Sequence, residues 1–158
     1  MKKILTHIDE KGNAKIVNVA TKGVTKRKAI AFGMIKVSSD VISIIKSDDN
    51  KKGDVLNVSK IAGIMAAKNT SNLIPLCHPI VLENIDLNFK INTKKNQIEV
   101  TATVECSGKT GVEMESLTAV SISLLTIYDM CKAVDKNMGI KEIYLLSKAG
   151  GKEDFTKS

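Results

Sequence analysis

Tryptophan is absent from this chain of 158 residues, only 3% of the residues are aromatic, and proline occurs twice. Aliphatic side chains must therefore fill the core, and a hydrophobic content of 43% is sufficient for this. A chain of this length fits one domain, which buries roughly 70% of the surface that its unfolded chain exposes. No apolar run approaches the ~18–20 residues that a membrane helix needs. The first residues also lack the apolar run of a secretory signal, so we expect no association with a membrane.

Cysteine is scarce, and its spacing is irregular. Cys77, Cys106 and Cys131 are odd in number, lie far apart and form no Cys-x-x-Cys motif. This arrangement favours neither a disulfide framework nor a zinc site. The sequence therefore predicts a cytoplasmic protein whose own side chains hold no metal.

Arginine is nearly absent, although the chain is basic. Arg27 is the only arginine among 24 basic residues, and the net charge is +7. A positive excess suits anionic partners, but proteins that read nucleic acid usually combine clustered arginines with stacking aromatic residues. Composition thus favours a small anionic ligand over a polynucleotide only weakly. A lysine-rich proteome would produce the same excess of lysine.

Apolar periodicity divides most of the chain into strands and helices. Strands are predicted at 29–37, 81–93, 97–106 and 140–147, and helices at 39–46, 54–68 and 112–136. The order β-α-α-β-β-α-β predicts an α+β, ferredoxin-like split β-α-β fold. Its four-stranded antiparallel sheet would carry the helices on one face, with one extra helix. We expect residues 1–28 to form a polar arm that orders only against a partner, 29–151 a single domain, and 152–158 a tail.

A glycine-bracketed turn, 108–111, precedes the longest predicted helix. Backbone N–H groups and the helix dipole attract anions at such a position, although Thr103 stands where a Walker A loop has its first glycine. The alternative is a helix start without any ligand. In that case Thr110 is the N-cap and Glu113, three residues later, completes a capping box.

The helix predicted at 112–136 carries an acid and a base near its end. Asp129, Lys132 and Lys136 share one stripe, and the core stripe is formed by Leu117, Val120, Leu124, Ile127 and Val134. A solvated, salt-bridged face would explain the charges and contributes little. However, a helix that is apolar on most sides must be covered by its own sheet or by another subunit. The charges then mark chemistry at a subunit interface.

A loop between two prolines holds one of only two histidines. His78 follows Cys77 and precedes Pro79, and histidine can donate, accept or shuttle a proton near neutrality. A plain hydrogen-bonding role would explain it equally well. A catalytic Cys77–His78 pair is not indicated, because adjacent side chains need not face each other and no third orienting group is apparent.

Taken together, several segments resemble the cyclic pyranopterin monophosphate synthases, the molybdenum cofactor biosynthesis accessory protein C family. The similarity runs from about Leu5 to Gly151 and is carried by residues 5–7, 51–55, 61–64, 66–68, 73–79, 108–115, 117–119 and 125–134. Two departures affect loop detail only. Asn18 stands where the family usually has an acid, and Ala149 replaces the serine of the usual Lys-Ser-Gly-Gly tail.

This resemblance implies a ferredoxin-like subunit that assembles into a hexamer from dimers, with active sites at the dimer interface. It implies conversion of 3′,8-cyclo-7,8-dihydroguanosine 5′-triphosphate, the product of an upstream radical enzyme, to cyclic pyranopterin monophosphate and pyrophosphate. Such a lyase requires no cofactor, although a divalent metal can accompany the triphosphate. A competing reading from another class is a non-catalytic module that binds phosphate or nucleic acid.

The resemblance also assigns residues. Asp129 takes the family's catalytic position, and Lys52 and Lys132 are its active-site lysines. Residues expected to bind substrate are Leu76, Cys77, His78, Glu113 and Met114, with Lys22, Arg27 and Lys148 near the phosphates. Because ring opening and ring closure both require proton transfers, Asp129 and a lysine of lowered pKa are the candidate acid–base groups.

Overall fold

A computed structural model of the protein describes residues 5–47 and 54–158. Within these ranges the chain forms five strands and four helices. The strands are β1 (Thr25–Lys36), β2 (Asn84–Asn92), β3 (Gln97–Gly108), β4 (Gly139–Ala149) and β5 (Phe155–Thr156). The helices are α1 (Ser39–Lys46), α2 (Val55–Lys68), α3 (Thr70–Leu73) and α4 (Glu113–Cys131).

The sheet is antiparallel throughout, with strand order β2-β3-β1-β4-β5. Its first four strands have the order of a ferredoxin-like split β-α-β arrangement, so the predicted fold is confirmed. The fifth strand was not predicted. It pairs Phe155 and Thr156 with Lys148 and Ser147, and two residues are too few to show an alternating pattern.

Side-chain caps start two of the helices where the sequence predicts them. The Ser38 hydroxyl accepts a hydrogen bond from the Val41 N–H at 3.3 Å, at the start of α1. Asp54 Oδ1 accepts from the Leu56 and Asn57 N–H groups, each at 3.0 Å, at the start of α2. Each cap satisfies backbone donors that have no partner within the helix.

Helices α2 and α4 pack against each other and against one face of the sheet. Gly63 makes this close approach possible, because a Cβ at that position would collide with Ser123 of α4 and with Leu87 of β2. The Ser123 hydroxyl crosses the same contact and donates to the Ser59 carbonyl at 3.0 Å. The core beneath is aliphatic, as the composition requires, and its largest fully buried side chains include Ile35, Leu87, Ile98, Leu124 and Ile127.

The helix predicted at 112–136 is shorter than expected. It ends at Cys131, and Lys132 is its C-cap, so Lys136 lies outside the helix. Val134, predicted as part of the core stripe, is 46% exposed. That prediction is wrong, because the apolar period continues past the point where the chain turns toward β4. No helix in the part of the chain described is long and apolar enough to cross a membrane.

Candidate functional site

A cleft of about 510 Å³ opens beside the first turn of α4. A volume of this order suits a small-molecule ligand. Parts of the chain that are distant in sequence form its walls. They are residues 6–22 of the N-terminal segment, Arg27 and Lys28 of β1, the loop 76–80, the turn and helix start at 109–115, and residues 148–152.

Positive charge dominates this cleft. Six lining residues are cationic and two carry carboxyl groups: Lys22, Arg27, Lys28, Lys109, Lys148 and Lys152 against Glu113 and Glu115. Several cations are oriented by contacts with the protein. The Arg27 Nε–H donates to the Gly108 carbonyl at 3.3 Å, and Lys109 Nζ donates to the Ala20 carbonyl at 2.7 Å. This arrangement is suited to a polyanion, since cations around a narrow cleft concentrate anionic ligands.

Glu113 does not complete a capping box, which was one interpretation of the sequence. The N-cap of α4 is Val112, which makes no side-chain capping bond, so the predicted capping box is wrong. Glu113 is the first helical residue rather than the third, and its carboxylate cannot complete such a box. Its Oε1 lies 3.1 Å from Lys148 Nζ instead. The carboxylate fills the space that a side chain at Gly111 would occupy.

His78 holds the N-terminal segment over the cleft. Its Nε2 lies 2.8 Å from the Val17 carbonyl oxygen. Together with the bond from Lys109 to Ala20, this contact fixes the segment at two points. The hydrogen-bonding role considered for His78 is therefore present, at a position that also lines the cleft.

Glu115 was not singled out in the sequence, yet it is the most buried acidic residue of the cleft. It is 4% exposed, and burial together with the nearby Glu113 charge raises the pKa of its carboxyl group to about 7. Burial and the Glu115 carboxyl also raise the pKa of the neighbouring Cys77 thiol. A thiol of raised pKa is a poor nucleophile at neutral pH, so this shift does not favour a catalytic Cys77–His78 pair.

Asp129 and Lys132 lie at the other end of α4. Lys132 Nζ is 2.6 Å from Asp129 Oδ1, and the side chains are 59% and 71% exposed in the single chain. In one chain the pair is therefore largely open to solvent. The hydrogen bond to Asp129 and its negative charge raise the pKa of Lys132 in the single chain. Asp129 lies sixteen positions after Glu113 along the helix, which corresponds to ~24 Å at 1.5 Å per residue.

The eight residues predicted to bind substrate all line the cleft. They are Lys22, Arg27, Leu76, Cys77, His78, Glu113, Met114 and Lys148. Asp129 and Lys132 do not line it, and Lys52 lies outside the described residues. Lys28, Lys109, Glu115 and Lys152 also line the cleft and were not predicted to do so. Among residues 5–47 and 54–158, no cluster of three or more His, Cys, Asp or Glu side chains could hold a metal ion.

Fold and cleft together define a ferredoxin-like α+β protein with a basic site of small-molecule size beside a helix N-terminus. Residues 16–151 match the model of the MoaC family. The chain belongs to this family.

Relatives of this chain are named cyclic pyranopterin monophosphate synthase. The protein of Clostridium perfringens strain SM101 is 59% identical over 148 residues, which cover 94% of each chain. Relatives from Thermoanaerobacter sp. strain X514 and Staphylococcus carnosus strain TM300 are 52% and 55% identical. These matches cover 94% of both chains in the first case, and 93% of this chain and 92% of the relative in the second.

Proposed function

We propose that the cleft is the substrate site of a cyclic pyranopterin monophosphate synthase. The chain is an enzyme of molybdenum cofactor biosynthesis, a lyase that acts on a small molecule. Its substrate is 3′,8-cyclo-7,8-dihydroguanosine 5′-triphosphate, and its products are cyclic pyranopterin monophosphate and pyrophosphate. The observation that carries this proposal is the excess of six cationic over two acidic residues in a cleft of about 510 Å³.

The positive charge of the cleft is suited to the negative charge that develops during this reaction. To form the cyclic phosphate, a substrate hydroxyl attacks the α-phosphorus while pyrophosphate leaves. Fixed positive charge beside the leaving group stabilises the negative charge that develops there. Arg27 presents a planar fork of donors to phosphate oxygens, whereas Lys22 and Lys148 act as more mobile point charges.

The candidate residues for acid–base catalysis do not lie in the cleft of their own chain. Opening the purine five-membered ring and closing the pyran both involve proton transfers. Asp129 and Lys132 are the candidates for these transfers, yet they lie ~24 Å along the helix from Glu113. A second copy of the chain would have to supply them. This distance supports a site shared between two subunits of a dimer.

A shared site also accounts for the exposed position of the Asp129–Lys132 pair. Covering by a partner would remove water from both side chains and strengthen the interaction between their charges. Dimers of this kind can assemble further into a hexamer, a trimer of dimers. Lys52 is the third member of the catalytic set, with Asp129 and Lys132.

Three further parts of the proposal rest on chemistry and sequence. No cofactor is required, because the reaction rearranges bonds within one substrate, and a divalent cation would arrive bound to the triphosphate. An upstream radical enzyme supplies the cyclised nucleotide. The cytoplasm is the compartment that the odd number and wide spacing of the cysteines favour.

Incubation with the cyclised nucleotide tests the proposed function directly. Purified protein should release pyrophosphate and form the cyclic pterin in equal amounts, whereas GTP itself should yield neither product. Binding to random DNA would be measured in parallel at increasing salt. Salt-dependent DNA binding without any turnover would overturn the proposal and favour a nucleic-acid-binding module.

A further inference from the structure

Gly150 lies in the turn between β4 and β5, and three different parts of the chain hold it in place. Its N–H donates to the Asp154 carboxylate at 3.0 Å, and its carbonyl accepts from the Thr25 hydroxyl at 2.8 Å. Its φ of +85° favours glycine, and a Cβ at this position would collide with the Lys26 carbonyl. The backbone of the turn is therefore fixed between the start of β1 and the C-terminal segment.

The C-terminal segment that carries Asp154 is itself attached to β4. Its strand, β5, pairs with the end of β4. One residue further along, the Lys157 N–H donates to the Leu146 carbonyl at 2.8 Å. The Lys157 ammonium lies 4.7 Å from the centre of the Tyr144 ring, a distance at which a cation is attracted to an aromatic face. These contacts hold the backbone after Asp154, so that its carboxylate stays close to the turn.

The turn that Asp154 holds also forms one wall of the cleft. Lys148, Ala149, Gly151 and Lys152 line the cleft, and Gly150 lies at the centre of this run. We propose that Asp154 is a positioning residue, which keeps the two lysines of the turn in place to meet the phosphates of a bound polyanion. This inference rests on the proposed function, because it takes the polyanion to be the substrate triphosphate. Asp154 acts through the turn, since it does not itself line the cleft.

A fixed backbone is important here because lysine side chains are costly to order. A lysine loses rotamer freedom when it binds a phosphate, and a mobile backbone would add its own entropy to that cost. Fixing the backbone before the ligand arrives removes this second contribution. Lys148 shows the arrangement, because its backbone pairs with Ala29 of β1 on one side and with Phe155 of β5 on the other.

The charge of Asp154 and its hydrogen bond have opposite effects on the binding of an anion. A carboxylate near the turn repels a polyanion, so its charge alone would weaken binding. As a hydrogen-bond acceptor for the Gly150 N–H, the same carboxylate stabilises the turn. Asparagine keeps an acceptor oxygen but carries no charge. Substitution can therefore separate the two contributions.

Asp154→Ala and Asp154→Asn test the proposal, with Glu153→Ala as a matched control that removes the same charge from an exposed neighbour. In Asp154→Ala we expect KM for the cyclised nucleotide to rise ~3–10-fold, the range for loss of one hydrogen bond. Little change in kcat should accompany this rise, which is the pattern of lost uniform binding. Asp154→Asn and Glu153→Ala should keep KM at or below the wild-type value.

Thr25→Val tests the opposite side of the turn. It removes the hydroxyl that donates to the Gly150 carbonyl but nearly keeps the shape of the side chain. If the fixed turn is what matters, this variant should also raise KM with little change in kcat. Wild-type KM in Thr25→Val would overturn the inference, as would equal KM values in Asp154→Ala and Asp154→Asn.

Failure of the proposed function would give a different result, since the wild-type protein would then not turn over the cyclised nucleotide. Calorimetric titration of the wild type and the four variants with inorganic pyrophosphate then decides on the role of Asp154. Weaker binding by Asp154→Ala and Thr25→Val than by Asp154→Asn and Glu153→Ala would support the inference. Equal dissociation constants, or no binding by the wild-type protein, would overturn it.

Discussion

The Glu113 carboxylate and the Lys148 ammonium join the first turn of α4 to the end of β4 across 3.1 Å. Their side chains are 30% and 37% exposed, and both line the cleft. The pair can form because Gly111 leaves room for the carboxylate. The acid therefore limits the freedom of a long lysine side chain and keeps its charge within the cleft, where a phosphate would meet it.

Gly111→Ala should weaken substrate binding without unfolding the protein. A methyl group there would displace the Glu113 carboxylate, and overpacking of this kind costs ~1–3 kcal/mol. We expect KM for the cyclised nucleotide to increase several-fold, with a modest fall in melting temperature. Gly23→Ala is the control, because a Cβ at Gly23 would meet nothing within 4 Å. Equal kinetics for the two variants would show that the position of Glu113 is unimportant for binding.

Asp129→Asn should separate binding from catalysis. Asparagine keeps the shape of the side chain but cannot exchange a proton, and general acid–base catalysis contributes ~10²–10⁴-fold in rate. We expect binding of the cyclised nucleotide to persist while turnover falls at least ~100-fold. The control, Asp40→Asn, changes an exposed acid in the first turn of α1. Near-normal turnover by Asp129→Asn would reduce this carboxylate to a partner that orients Lys132.

A mixture of two inactive variants should regain activity if the site is shared. Arg27→Ala damages the cleft and Asp129→Asn damages the far end of α4. In a mixed dimer one site then carries both changes and the other carries none. Random pairing after co-expression should restore up to about a quarter of the wild-type activity. Each variant alone is the control, and a mixture no more active than the variants would place the whole site in one chain.

Glu115→Gln should alter the pH dependence of stability. The Glu115 pKa rises from its ordinary value of 4.5 to about 7 on folding, so between these values the folded state binds more protons than the unfolded state. Wild-type stability should therefore decrease as pH rises through this window. The variant lacks this dependence, so its melting temperature relative to wild type should be higher at pH 8 than at pH 5. A constant difference across that range would contradict the raised pKa.

Much of the fold was predictable because alternation and helical period are local properties. The strands around Val100 and the caps at Ser38 and Asp54 follow from residues close in sequence. The end of α4 was not predictable in this way, since Val134 continues the apolar period beyond the helix. β5 was missed because only its pairing with Ser147 and Lys148 defines it.

The lining of the cleft, like the fold, could be predicted only in part from the sequence. His78 and Lys148, which lie within recognisable motifs, were predicted to bind substrate, and both line the cleft. Glu115 was missed because the pattern does not reveal which side of the first helical turn faces a cavity. The sequence also does not show which surface covers Asp129, because the apolar residues around it fit burial against its own sheet or against another subunit.

The cleft draws on residues near both extremes of the sequence, from His7 and Val17 to Lys148 and Lys152. During translation the early residues emerge from the ribosome long before the late ones. β1, β2, β3 and α4 all precede β4 in the chain, but the cleft is incomplete until Lys152 has been added. Truncation before Lys148 would therefore leave a product whose cleft lacks four of its lining residues, Lys148, Ala149, Gly151 and Lys152.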